Sequence, residues 1–269
     1  MSRIARSFLF VPGDRPQRFA KAAASGAHEV ILDLEDAVAP AGKDEARNAV
    51  AAWLADGGQA IVRINGADTP WFDDDVVMLR TATGARVMLP KAEPESLARL
   101  AQALPQRAVI ALVETVSGYL SVNEVAACRG VERIAFGSVD FAAASGIADE
   151  GEAMTGIRIQ IVLASCQAKL APPIDGVGLE FNNEGTMRSD ALRARQLGFG
   201  GKLCIHPRQV PAVNAAFKPS QQEVDWAQRV LAAFEISRGA ATAVDGKMID
   251  KPVVERALRI TAEFGTDAA

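Results

Sequence analysis

Residues 108–115 read Ala-Val-Ile-Ala-Leu-Val-Glu-Thr, and residues 133–141 read Arg-Ile-Ala-Phe-Gly-Ser-Val-Asp-Phe. Each is an apolar run that ends in a carboxylate, Glu114 and Asp140. Neither run alternates polar with apolar residues, the mark of a strand buried on both faces in a parallel sheet. A carboxylate at the carboxyl end of such a strand lies where α/β proteins bind their ligands. Glu114 and Asp140 are therefore candidate ligands of a divalent metal.

Outward from this pair, short apolar runs alternate with helical stretches along the chain. Strand-like runs occupy residues 7–11, 30–34, 60–64, 86–89, 109–113, 133–136, 174–177 and 202–205. Helical patterns lie between or after them at 16–25, 43–55, 71–80, 94–103, 122–128, 157–170, 185–197 and 208–217. Pro16 opens the first helix and Gly26 stops it, a common asymmetry of helix ends. The seventh run is weak, broken by Gly176 and Gly178. After Asp140 the pattern reads as a Gly- and Ala-rich loop. Strand–helix alternation argues for a parallel sheet. Eight such units in about 217 residues fit a closed (β/α)8 TIM barrel. The alternative is an open doubly wound sheet, but the chain has neither a G-x-G-x-x-G after its first strand nor a Walker A loop.

Residues 1–218 form the expected barrel, the catalytic domain. Residues 219–269 are too short for a separate core and read as a C-terminal helical arm and lid. Its helices are expected at 221–238 and 252–264, with residues 239–251 as loop. The net charge of −4 leaves no electrostatic footprint for nucleic acid. No apolar run is long enough to span a bilayer. The leading Met-Ser-Arg-Ile-Ala-Arg lacks a signal-peptide cleavage pattern. Cys128, Cys166 and Cys204 form neither a disulfide framework nor a metal spacing. A reducing, cytoplasmic setting is the expectation.

In a barrel the carboxyl ends of all strands face one mouth. There the sequence places Glu35 and Asp36, Arg63 and Asn65, Lys91, Glu114, Asp140 and His206. Two carboxylates without clustered histidine or cysteine favour a hard cation such as Mg²⁺, which keeps waters and leaves positions for substrate oxygens. Structural ion pairs are the other reading of the same residues. Arg63 suits a bidentate clamp on a substrate carboxylate, or pairing with Glu35 or Asp36, and both can hold. Lys91 either binds a phosphate or faces solvent. His206, followed by Pro207, fixes a turn.

Seven ordered motifs carry a resemblance. They are Ser7-Phe-Leu-Phe-Val-Pro-Gly13, Asp33-Leu-Glu-Asp-Ala-Val38, Val62-Arg-Ile-Asn65, Leu89-Pro-Lys91, Glu114-Thr115, Phe136-Gly137 with Asp140, and Ile205-His-Pro207. Over essentially its whole length the chain resembles the citrate lyase beta-subunit-like proteins of the HpcH/HpaI aldolase and malyl-CoA lyase superfamily. The resemblance implies a TIM barrel in a homotrimer or a multiple of one. It implies reversible cleavage of a 3-hydroxyacyl-CoA thioester to an acyl-CoA and a 2-oxo acid. Glu114 and Asp140 then look like the Mg²⁺ ligands and Arg63 like the holder of the oxo acid's carboxylate. Glu35 and Asp36 look like groups that orient metal waters and Arg63. The backbone at Gly137 and Ser138 is implied to contact the oxo acid, and Lys91 belongs to the same substrate-binding set.

Lys247-Met-Ile-Asp250 resembles the lid motif of the malyl-CoA lyases, in which the lid aspartate reaches a neighbouring subunit's site as acid/base. On that likeness Asp250 exchanges the proton on the acyl group. An exposed loop aspartate is the plain reading. After the seventh strand the chain departs from the family pattern, with Glu180-Phe-Asn-Asn183 where an aspartate is common. Two other functions compete: a metal-dependent aldolase on a free hydroxy acid without CoA, and a non-catalytic, partner-binding subunit of a lyase complex.

Overall fold

The computed structural model describes residues 5–238 and 240–267. The expectations for Met1–Ile4 and for Gly239 as the start of a loop fall outside the described residues. In chain order the elements are β1 (Ser7–Pro12), α1 (Phe19–Ala23), β2 (Glu29–Asp33), α2 (Lys43–Ala55), β3 (Ile61–Arg63), α3 (Phe72–Thr81), β4 (Arg86–Leu89), α4 (Pro94–Ala103) and β5 (Val109–Val113). They continue as α5 (Val116–Leu120), α6 (Val122–Ala127), β6 (Val131–Phe136), α7 (Ser138–Ser145), α8 (Thr155–Gln167), β7 (Ile174–Asp175), α9 (Glu184–Leu197), β8 (Gly201–Cys204) and α10 (Gln209–Phe217). Then come α11 (Gln221–Ile236), β9 (Thr242–Val244), β10 (Lys247–Ile249) and α12 (Lys251–Asp267).

Strands β1 to β8 pair in sequence order, all parallel, and β8 closes on β1. This is the (β/α)8 barrel that the alternation implies. Its interior layer consists of Phe8, Ile31, Ile61, Met88, Ile110, Leu112, Ala135, Ile174 and Leu203, nearly all fully buried. Side chains of a strand alternate faces, so two residues further along the same face points inward again. That step places Asp33, Arg63, Glu114, Gly137 and Gly176 directly above the apolar layer. The chemistry of the mouth thus rests on a dry floor.

The structure corrects several sequence expectations. Asp140 does not end a strand: β6 stops at Phe136, and Asp140 sits in the first turn of α7, a helix that runs on into what the sequence suggested was loop. The helix expected at 122–128 is α6, and a further short helix that the sequence did not suggest, α5, precedes it with Thr115 as its cap. Strand β2 ends at Asp33, so Glu35 and Asp36 lie beyond it. Strand β7 is only two residues long. Residues 242–249 are a β-hairpin, not loop.

Cα packing separates the chain into two compact units, residues 5–215 and the segment from Ala216 on. The second unit has its own core of Val224, Ala227, Val230, Ile249, Val254, Ala257 and Ile260. Ser220 and Glu223 form a capping box that starts α11. Among the described residues no helix is long and apolar enough to cross a membrane.

Candidate active site

The centre of the barrel mouth is Arg63, at the end of β3 and buried. Its Nε and Nη2 donate to Asp33 Oδ1 and Oδ2, both at 2.7 Å. Asp33 also accepts the backbone N–H groups of Glu35 (2.9 Å) and Ala37 (3.2 Å). One carboxylate therefore fixes the arginine and the loop that carries Glu35. Arg63 Nη1 lies 3.0 Å from Glu35 Oε2, an ion pair that is not aligned as a hydrogen bond. Asp36 is 3.9 Å from the same nitrogen and its side chain is 61% exposed, so its contribution is weak. The Phe10 ring lies 4.9 Å from the guanidinium carbon and covers the other side. Burial alone would lower the Arg63 pKa, but the paired Asp33 outweighs it and raises it.

Glu35 is buried at the loop after β2. Burial pushes its pKa up, against the pull of Arg63 and Lys91. Its loop is held by Lys43, a buried lysine whose Nζ donates to the carbonyls of Leu34 and Glu35, each at 2.7 Å. Lys91 reaches Glu35 Oε1 at 3.4 Å with a side chain 46% exposed. Its backbone is in the left-handed region at φ 47°, rare for a residue with a side chain. That conformation aims its N–H at Glu114 Oε1, 2.8 Å away.

Glu114 follows β5 and is almost fully buried. Its Oε1 has the Lys91 N–H, whereas Oε2 has no hydrogen-bond partner. Burial, then the negative charge of Glu35, push its pKa up to about 8; Asp140 adds to the rise. A buried carboxylate oxygen without a donor, near two other carboxylates, is a high-energy arrangement unless a cation joins it. Among the described residues no three His, Cys, Asp or Glu side chains cluster as a ligand set. A metal such as Mg²⁺ needs only one or two protein carboxylates, its shell being filled by water and substrate oxygens. The residues present fit Mg²⁺. Asp140, exposed in the first turn of α7, is close enough for its charge to be felt at Glu114.

Gly137 is the N-cap of α7, with no side chain capping the helix. A Cβ here would lie 2.5 Å from Glu114 Cβ and 2.7 Å from Oε2, so only glycine lets the carboxylate keep its place. The next residue, Ser138, is 1% exposed and its hydroxyl has no partner.

The structure thus brings together Glu35, Arg63, Lys91, Glu114, Gly137, Ser138 and, at the rim, Asp36 and Asp140. Asp250 belongs to the second unit. It is exposed, and its Oδ1 accepts the Val253 N–H at 3.4 Å at the start of α12. His206 stacks on Phe181 with ring centroids 4.8 Å apart, and its Nδ1 accepts the Arg208 N–H at 3.2 Å, a turn-forming role. The Glu180–Asn183 loop folds on itself, with the Glu180 carboxylate accepting the Asn183 N–H at 3.2 Å.

Three residues escaped the sequence reading. Asp33 passes for a strand residue, although its place inside a quoted motif was a signal. Lys43 passes for the start of an Ala-rich helix. Gln209, buried, accepts the N–H groups of Ile205 (2.8 Å) and His206 (3.1 Å) and donates to the Gly178 (2.6 Å) and Glu180 (3.1 Å) carbonyls. It ties the loop after β7 to the end of β8, and nothing in its neighbours marks it.

Residues 6–207 match the model of the HpcH/HpaI aldolase/citrate lyase family. The chain belongs to that family. It is 41% identical over 258 residues to a citrate lyase subunit beta-like protein of Mycobacterium tuberculosis, covering 93% of this chain and 92% of that one. It is 33% identical over 277 residues to a (3S)-malyl-CoA thioesterase of Cereibacter sphaeroides, covering 98% and 96%. Among solved structures, it is similar to the protein CitE of M. tuberculosis in complex with magnesium, acetoacetate and coenzyme A. The TM-score is 0.86 at 37% identity, covering 97% of this chain and 98% of that one.

Proposed function

We propose that this member of the family is a Mg²⁺-dependent carbon–carbon lyase that cleaves a 3-hydroxyacyl-CoA thioester reversibly to an acyl-CoA and a 2-oxo acid. The observation that carries the reading is the buried Glu114 Oε2 without a hydrogen-bond partner, in the same mouth as an arginine whose Nη1 is ion-paired with Glu35 but makes no hydrogen bond. A cation and an anionic oxygen ligand complete both at once. Support also comes from the similar protein whose structure holds magnesium, acetoacetate and coenzyme A.

In this reading Glu114 and Asp140 hold Mg²⁺. The metal, when bound, supplies Lewis-acid polarisation of the keto oxygen. Arg63, anchored by Asp33 on one edge, turns its Nη1 to the oxo acid and stabilises charge on its oxygen as the bond breaks or forms. Glu35 and Asp36 orient Arg63 and metal-bound water, and Lys91 adds positive charge at the rim. The backbone of Gly137 and Ser138 contacts the oxo acid. Asp250, on a lid completed between subunits of a trimer, moves the proton of the acyl group. Residues 1–218 are the catalytic domain and 219–269 the arm that carries the lid.

A second reading is favoured by the thioesterase relative: hydrolysis of the same class of thioester. One experiment separates the two. Citramalyl-, malyl-, methylmalyl- and citryl-CoA are incubated with protein with and without Mg²⁺, and 2-oxo acid and free CoA are measured separately. Lyase action releases a 2-oxo acid and no free thiol. Free CoA with a hydroxy acid identifies the thioesterase. No turnover of any thioester sinks both.

A further inference from the structure

Of the buried oxygens at the mouth that lack a hydrogen-bond partner, Glu35 Oε2 is ion-paired with Arg63, and two others, Glu114 Oε2 and Ser138 Oγ, lie on either side of Gly137. Glu114 Oε2 is accounted for by the metal. Ser138 Oγ is not, because the family resemblance implies only backbone contacts at Ser138. A buried hydroxyl without a partner is unfavourable, so native structures supply one.

The place of this hydroxyl follows from strand geometry. Ile174 belongs to the inward layer, so Gly176, two residues on, is the next inward position of that strand. A Cβ built on Gly176 would lie 2.2 Å from Ser138 Oγ, a clash. A side chain at 176 would therefore push the serine hydroxyl out of its place, and the glycine leaves it room. It also sits on the first residue of α7, an eight-residue helix whose N-cap is glycine and whose amino end has no side-chain cap. An uncapped helix start favours negative charge.

We infer that the Ser138 hydroxyl is a substrate-binding donor that binds a C1 carboxylate oxygen of the 2-oxo acid, in a slot kept open by Gly176. The inference rests on the function proposed above. Arg63 and the metal face the acid from the β3 and β5 side, and Ser138 meets it from the β6–β7 side. A hydrogen bond to a charged acceptor of this kind is worth about ten- to a hundredfold in binding.

The test is calorimetric binding of pyruvate and of oxaloacetate to full-length protein in saturating Mg²⁺, for the unaltered chain, Ser138→Ala and Gly176→Ala. Ser138→Ala is expected to weaken both acids by the same factor, about ten- to a hundredfold. Its affinity for Mg²⁺ alone is unchanged, and its Tm without ligand is unchanged or higher, since an unsatisfied hydroxyl has gone. Gly176→Ala, which displaces the hydroxyl, weakens the acids likewise. Equal affinity of Ser138→Ala and the unaltered protein for both acids overturns the inference and leaves the lyase reading standing. A loss confined to oxaloacetate also overturns it, because the hydroxyl would then read the distal carboxylate. If the unaltered protein binds neither acid, the inference and the lyase reading fall together.

Discussion

Asp33 and Arg63, thirty residues apart in the chain, meet edge to edge across β2 and β3 through two parallel hydrogen bonds of 2.7 Å. Both side chains are buried, and the same carboxylate holds two backbone N–H groups of the next loop. Removing one partner strands the other in a dry site. Asp33→Asn is expected to cost about 3–5 kcal/mol, roughly 6–20 °C in Tm for a domain of this size. Arg63→Lys keeps the charge but loses the fork. It should lose less stability and raise the KM for thioester or oxo acid at least about tenfold. Thermal melts with steady-state kinetics check both, and an unchanged melt for Asp33→Asn would contradict the structural assignment.

Metal binding should depend on pH through Glu114. Its folded pKa, about 8, is above the ordinary carboxylate value. A raised pKa means that this group's stabilising contribution is complete below the unfolded value and is lost as pH rises through 8. Metal-free protein should therefore lose stability between about pH 5 and 8 from this group. Mg²⁺ needs the ionised form, so its affinity should rise about tenfold per pH unit up to 8 and then level off. Mg²⁺ titrations at pH 6, 7, 8 and 9 measure the slope; a flat profile would be the wrong result.

The two carboxylates should respond differently to neutralisation. Glu114→Gln keeps an acceptor for the Lys91 N–H and removes a buried charge. Mg²⁺ binding and turnover should vanish, while the metal-free Tm at pH 9 rises. Asp140→Asn, on an exposed helix turn, should leave the melt alone and weaken Mg²⁺ by about tenfold or more. If both variants turn over normally, neither residue is a ligand.

Gly137→Ala forces a Cβ against Glu114. The expected outcome is a loss of about 1–3 kcal/mol together with Mg²⁺ affinity, since the displaced carboxylate is the proposed ligand. Urea unfolding and Mg²⁺ titration on the same preparation test the link.

Asp250→Asn, or removal of residues 240–269, should abolish thioester cleavage but preserve Mg²⁺-dependent binding of the oxo acid. An aldolase acting on a free hydroxy acid would keep much of its activity after the truncation. Retained thioester cleavage by Asp250→Asn would remove the lid aspartate from the mechanism.

Strand–helix alternation made the barrel legible, because a strand buried on both faces must be apolar throughout. The mouth residues were legible for the same reason: a charge after an apolar run stands out. Asp140 was misplaced because Phe136-Gly-Ser-Val-Asp-Phe141 carries no break stronger than one glycine, and the turn into α7 starts there. Asp33 was hidden because a buried carboxylate at a strand's last residue looks like its end. Its partner, Arg63, is distant in sequence. The hairpin at 242–249 could have been found. Asp245-Gly246, at φ 52° and 73°, is the two-residue turn that pairs flanking strands. Lys43 and Gln209 act on backbone carbonyls and amides, which leave no residue-type signal.

The two-residue strand β7 has a consequence for how the barrel holds together. It pairs with its neighbours through Ala135–Ile174, Ile174–Gly201 and Asp175–Lys202 alone. Behind it, Asp175 lies between Arg158 (2.8 Å) and Lys202 (2.9 Å), all three buried. Burial opposes the charge on Asp175, but Lys202 and Arg158 prevail and hold its pKa down. Like a cask whose narrowest stave is held by a rivet instead of a hoop, the wall is fastened here by charge where backbone is scarce. Acid should draw that rivet first. As pH falls below the ordinary aspartate range, around 4, the wall should part between the sixth and eighth staves, beside the slot where Ser138 waits.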